Sequence, residues 1–173
     1  MEDKRTEIQK SFEAFPGMNC FACAPVGLNP EGLNLVFEET LTGASTRFWF
    51  AKKFQSYPGY IHGGLVSGVL DETMAYAGVF KQRCLPFTKT LKIEYRLGVI
   101  AEKEYLCEGE IDRVTEGGFF CRGAIRDARG RAVVLGWAEF SIPTRAMIEK
   151  MMPKEGMEDF YQWFRPNPSP SQG

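Results

Sequence analysis

Apolar residues recur along this chain with two different periods, and the changes between them mark out the elements. Leu33, Leu35 and Phe37 alternate with Asn34, Val36 and Glu38, the period of a half-buried strand. After a turn at Thr42-Gly43, the stretch Ser45–Lys52 carries Phe48, Trp49 and Phe50, side chains that favour strands. The segment HGGLVSGVLDETMAYAGVF (62–80) shifts to a helical period and predicts the one long helix of the middle of the chain. Four strand-like runs follow: Phe87–Ile100, Tyr105–Val114, Phe119–Asp127 and Arg131–Ile142. Turn signals at Val99–Lys103, Glu116-Gly117-Gly118 and Ala128-Arg129-Gly130 separate them. Connections this short predict an antiparallel meander. The predicted order is β-β-α-β-β-β-β, an α+β chain with one sheet and one central helix.

The flanks are less regular. Ile8, Phe12 and Phe15 sit at near-helical spacing and predict a short leading helix, followed by a Gly/Pro/Asn-rich loop at 16–32. Residues 144–164 carry Met147, Ile148, Met151, Met152, Phe160, Trp163 and Phe164 and predict a terminal helix broken at Pro153. The last nine residues, RPNPSPSQG, have the composition of a disordered tail. The expected division is an N-terminal extension (1–17), one domain (18–143), a helical extension (144–164) and the tail (165–173).

On a helical wheel, Gly64, Ser67, Gly68, Asp71, Ala75 and Gly78 fall within roughly 60° of one line. Val66, Val69, Leu70, Met74, Ala77 and Phe80 lie opposite. The apolar face suits burial against a sheet. The small face is costly, since each glycine disfavours a helix by about 1 kcal/mol relative to alanine. Such a strip makes sense where a second subunit or a ligand approaches the backbone, and Asp71 is its one charged member. A carboxylate there loses water, which raises its pKa toward the range of proton transfer. Glu72, turned by about 100°, falls on the shoulder beside Leu65 and Tyr76. The helix start at Gly63-Gly64 offers free N–H groups and a positive dipole end, a possible oxyanion hole. His62 stands at the N-terminal boundary, as a cap or as a base. A plain reading stays open beside each of these: Asp71 satisfying an interface, and the glycines serving a tight turn.

Composition excludes several classes. With 173 residues and 44% hydrophobic content, one well-filled domain is expected. Twenty-one basic and 22 acidic residues leave a formal charge of −1, which argues against nucleic acid or an anionic membrane as partner. No apolar run reaches the roughly 20 residues that span a bilayer, and the charged start MEDKRTEIQK does not read as a secretory signal. Five cysteines, an odd count, fit free thiols in a reducing cytoplasm. Cys20 and Cys23 form a C-x-x-C, but no second pair accompanies it and the single histidine is remote. No metal and no cofactor is therefore expected, and buried thiols or a redox dithiol remain as readings of the pair.

The run from Pro58 to Glu72, PGYIHGGLVSGVLDE, resembles the signature of hotdog-fold thioesterases of the phenylacetyl-CoA (PaaI-like) type, with H-G-G at a helix start and an acidic residue nine positions after the histidine. The segments Cys20–Leu35 and Thr88–Tyr95 are similar to parts of the same family, so the resemblance spans roughly residues 18–143. It implies a five- or six-stranded antiparallel sheet wrapped around the long helix. It also implies a homodimer, with a dimer of dimers left open, and active sites between subunits. By the same resemblance Asp71 is nucleophile or base, the Gly63 N–H polarises the thioester carbonyl, and Thr88 helps to position water. His62 is a further catalytic candidate, Gly64 and Glu72 are substrate-binding candidates, and Lys89, Lys92 and Arg96 are candidates for holding coenzyme A. Many members carry Asn or Gln six residues before the histidine; here Ser56 stands there, with Gln55 adjacent as a substitute. Many also have proline where this chain has Gly98. The aromatics Phe48, Trp49, Phe50, Phe119, Phe120 and Trp137 read as tunnel lining or core. The expected function is hydrolysis of an acyl-CoA, with a non-catalytic acyl-CoA-binding module and a hydratase as rivals.

Overall fold

The computed structural model describes residues 6–13, 17–151 and 157–167. Its six-stranded antiparallel sheet is built from β1 (Glu38–Glu39), β2 (Gly43–Phe48), β5 (Phe87–Tyr95), β6 (Tyr105–Thr115), β7 (Gly118–Arg126) and β8 (Ala132–Ser141), in the order β1-β2-β6-β7-β8-β5. A small hairpin, β3 (Gln55–Tyr57) with β4 (Tyr60–Ile61), leads into the 20-residue helix α2 (Gly63–Gln82), which lies across the sheet. This is the hotdog arrangement. Three short helices, α1 (Glu7–Glu13), α3 (Arg145–Met151) and α4 (Met157–Trp163), pack outside it. No helix among the described residues is long and apolar enough to cross a membrane.

The apolar face of α2 is buried as its period requires. Val66, Val69, Leu70, Met74 and Ala77 are almost fully covered, together with Phe119, Ile125, Val134 and Phe140 from the strands. A row of glycines lets the helix come this close. Gly109, Gly123 and Gly136 are consecutive partners across β6, β7 and β8. A Cβ at Gly109 would stand 2.9 Å from Met74 Cα, and one at Gly136 2.6 Å from Leu70 Cδ2. Both distances are too short for a side chain, so Leu70 and Met74 occupy the space that side chains would take elsewhere in the sheet.

Three expectations are corrected. The four runs after the helix do not form one meander: β6, β7 and β8 are sequential neighbours, but β5 pairs with β8 and not with β6. The connection after β5 is tied elsewhere, Val99 O accepting from Ile61 N while Ala101 N and Glu102 N donate to Gly59 O and Phe50 O. The run 33–38 is not a full strand, because only Glu38 and Glu39 pair with β2. Asn34 takes a left-handed conformation (φ 53°), and the buried Gln9 side chain replaces the missing neighbour. Its Nε2 donates to Leu35 O at 2.8 Å and its Oε1 accepts from Phe37 N at 3.1 Å. The alternation survives even so, with Leu35 and Phe37 buried. Gly78, placed by the wheel on the open strip, is buried under Phe119. The sheet curls over the C-terminal third of α2, and the strip stays open only over its first part.

Gly78 therefore supports a prediction. Gly78→Ala should gain about 1 kcal/mol of helix propensity, yet its methyl would stand 2.1 Å from Phe119 Cζ. That ring is fully buried and stacked on Phe140 at 5.0 Å, so it has nowhere to go. Overpacking costs of about 1–3 kcal/mol should win, and chemical denaturation should show a lower midpoint.

Helices α3 and α4 stand on either side of the expected break, but Met152 and Pro153 lie outside the described residues, as do Phe15 and residues 168–173; the Phe12 side chain is not described. Residues 165–167 fold back, with Arg165 N donating to Arg83 O and Asn167 N to Pro143 O. Gly98 has a packing reason: a Cβ there would stand 2.4 Å from a ring carbon of Tyr60.

Candidate functional site

Asp71 lies on the open face of α2, half-buried rather than sealed inside. The strand β5 supplies its partner: Thr88 Oγ1 lies 2.9 Å from Oδ1 and 3.1 Å from Oδ2 and shares its one proton between them. Thr88 points to the helix side because it is paired with the inward-facing Phe140 of β8. Burial pushes the Asp71 carboxyl above its ordinary pKa, and the Thr88 hydrogen bond partly offsets the shift. Gly68, one turn earlier, has open space where a Cβ would be. A small substituent can thus reach the carboxylate from outside.

The start of α2 is the second feature. His62 caps it, its Nδ1 accepting from Gly64 N at 3.0 Å. Capping employs one ring nitrogen, as the boundary reading expects. Leu65 N and Val66 N both donate to His62 O, whereas the Gly63 N–H has no acceptor among the described residues. The Gly63 carbonyl is pinned instead, accepting from Tyr95 Oη at 2.7 Å and Ser67 Oγ at 2.9 Å. The two hydroxyls lie 2.5 Å apart. Strand β5 therefore touches both functional points of the helix, Thr88 at Asp71 and Tyr95 at Gly63. Sequence reasoning singled out neither Tyr95 nor Ser67. Their signal was present, since Ser67 is on the small strip and Tyr95 closes the Thr88–Tyr95 run.

The remaining candidates scatter. Gln55 is exposed on the hairpin and spends its Oε1 on Gly59 N at 2.9 Å, closing the turn; Ser56 beside it is exposed. Lys92 is paired with the outward-facing Trp137 and sits over its ring at 5.5 Å. Lys89, the extra residue at a register shift, forms an ion pair with Glu139 at 2.7 Å. Both therefore project from the sheet face opposite α2. Arg96 pairs with Glu94 at 2.9 Å. Glu72 does not join Asp71; it lies beneath the 17–35 loop, beside Cys20. Of the aromatics, Phe48, Phe50 and Phe119 are core, while Trp49 and Trp137 are exposed.

No family model matches the sequence, and no curated protein is significantly similar to it. Solved structures are similar in fold. A hypothetical thioesterase of Streptococcus pneumoniae TIGR4, crystallised with coenzyme A, shares 17% identity at a TM-score of 0.58, over 63% of this chain and 85% of that one. The Escherichia coli PaaI protein of the phenylacetic acid degradation operon shares 14% at 0.58, over 63% and 83%. Zebra fish thioesterase superfamily member 2 shares 12% at 0.61, over 78% and 95%. By its strand order, its central helix and these likenesses, the chain is a hotdog-fold protein of the architecture shared by PaaI and other thioesterase-superfamily structures.

Proposed function

We propose that the chain hydrolyses an acyl-CoA thioester, with Asp71 as base or nucleophile and a Gly63 amide as oxyanion donor. The observation that carries this reading is a reachable carboxylate of raised pKa on a face cleared of side chains, held by a single hydroxyl. Such a group can take a proton from water or attack a carbonyl, and the departing thiolate needs no metal.

Two copies are required. Gly63 and Asp71 are eight residues apart on one helix, about 12 Å, so one chain cannot bring both to a single carbonyl. Strand β5 offers the means of joining. It is a nine-residue edge that pairs, among the described residues, only with β8, and Phe87 and Tyr95 are exposed at its ends. Long unpaired edges are templates for pairing. Two such strands related by a two-fold axis between Leu91 and Lys92 would set Thr88 of one copy against Tyr95 of the other. Asp71 would then face the second copy's helix start, completing the site in a homodimer.

A second reading, an acyl-CoA-binding module without turnover, is favoured by Ser56 standing where an amide side chain would hold the carbonyl. Short, long and aromatic acyl-CoAs incubated with a thiol reagent decide between them. At least one should release coenzyme A well above the uncatalysed rate; binding with no release across the panel would reject hydrolysis.

A further inference from the structure

Glu72 lies outside the machinery just described. The loop above it is folded around the C-x-x-C: Ala24 N donates to Cys20 O at 3.1 Å, closing a turn across both cysteines. The returning chain is stitched to the two residues between them, Leu33 N to Phe21 O at 2.8 Å and Leu35 N to Ala22 O at 2.9 Å. This holds both thiols against α2. Cys20 Sγ lies 3.5 Å from Glu72 Oε1, and the two sulfurs and a Glu72 oxygen all lie within 4.8 Å of one another, each residue half-buried.

Three acidic groups thus share one small space, and among the described residues Glu72 takes part in no ion pair. A dication held between them would supply the counter-charge that this cluster lacks.

We propose that Cys20, Cys23 and Glu72 bind one zinc ion, with the fourth tetrahedral position open to water. Zinc bonds of about 2.3 Å to sulfur and about 2.0–2.2 Å to oxygen set the edges of such a tetrahedron at roughly 3.5–3.8 Å. The Cys20–Glu72 distance already has that value, and the other separations need to close by at most about 1 Å, within the reach of side-chain rotation. Paired thiolates select a soft or borderline ion over magnesium or calcium. The ion clips the 17–35 loop to α2 one residue from Asp71. This does not depend on the thioesterase reading.

The test uses the full chain, reduced, loaded with zinc or with cobalt and then dialysed. One zinc per chain is expected, as are thiolate-to-cobalt charge-transfer bands with the visible spectrum of a tetrahedral site. Cys20→Ser and Cys23→Ser should each lose the retained metal; Glu72→Gln, which keeps both thiolates, should show charge-transfer bands in excess cobalt but lose either metal on dialysis. Alkylation of Cys20 in the unmodified chain should slow when zinc is added, a readout that needs no variant to fold. Substoichiometric zinc, retention by either serine variant, or unchanged retention by Glu72→Gln would overturn the site. So would a Cys20–Cys23 disulfide that forms in air at the same rate with and without zinc.

Discussion

Asp71→Asn should lower kcat on a responsive acyl-CoA by about 10²–10⁴-fold while raising the melting temperature at neutral pH. The activity loss follows because the amide keeps the shape and removes the base or nucleophile. The gain in stability follows from burial, which lifts the folded-state pKa of Asp71 above its unfolded value. Such a carboxyl contributes most to stability when protonated, below the unfolded pKa, and the contribution is lost as pH rises through the folded one. At pH 7 the native chain carries an ionised group that its surroundings disfavour, and asparagine relieves it while still accepting from Thr88. The gap in melting temperature between variant and native chain should shrink as pH falls through the carboxylate range. Unchanged kcat would remove Asp71 from the chemistry, and a lower melting temperature at pH 7 would show that burial is not what raises its pKa. Stability given up at one position for function is common at active sites.

Gly63→Pro should cost about 10²–10³-fold in kcat, the usual effect of losing one oxyanion donor, with little change in fold. Proline is well suited to the first helical position, where its missing N–H leaves no intrahelical bond unmade. His62 before it already has φ −59° and ψ 129°, the extended conformation that a following proline requires. The space is adequate too, since the nearest atom to a Cβ at Gly63 is Tyr95 Oη at 3.4 Å. The substitution therefore removes one N–H and little else. Mixing the Asp71→Asn and Gly63→Pro chains gives the sharper result. If each site takes its carboxylate from one copy and its amide from the other, a mixed dimer has one site with both defects and one with neither. Activity should reappear on mixing, at up to half the native value per mixed dimer. No recovery after proven subunit exchange would mean that the two groups do not meet across a dimer.

Much of the architecture could be read from the chain because it rests on local periodicity. The change from period two to the helical period at His62 located α2, and the glycine-bearing turns located the β6-β7-β8 meander, but short connections could not show that β5 pairs with β8 and not with β6. The alternation of Leu33, Leu35 and Phe37 also reported burial correctly. It could not report pairing, because Leu35 O and Phe37 N are taken by the Gln9 side chain, more than 20 residues away, and Leu33 N and Leu35 N by Phe21 O and Ala22 O. The wheel separated the two faces of α2 but placed Gly78 with the open strip, since a wheel carries no information on where the sheet curls over the helix.

At the site, the helical wheel pointed to Asp71 and the glycine-bearing helix start to Gly63, whereas Thr88 entered only through the family resemblance. What the sequence by itself determined is therefore the order and kind of the elements and the chemical type of the helix-borne groups, which follow from neighbours a few residues apart. Only the tertiary structure decided that Thr88 and Tyr95 reach opposite ends of the same helix segment. It alone turned Lys89 and Lys92 to the far face, and it alone brought Glu72 beneath a loop that begins some 50 residues earlier, beside two thiols. Those outcomes depend on strand register and on how closely α2 can approach three glycines, and a shift of one residue in register would reverse every one of the facings.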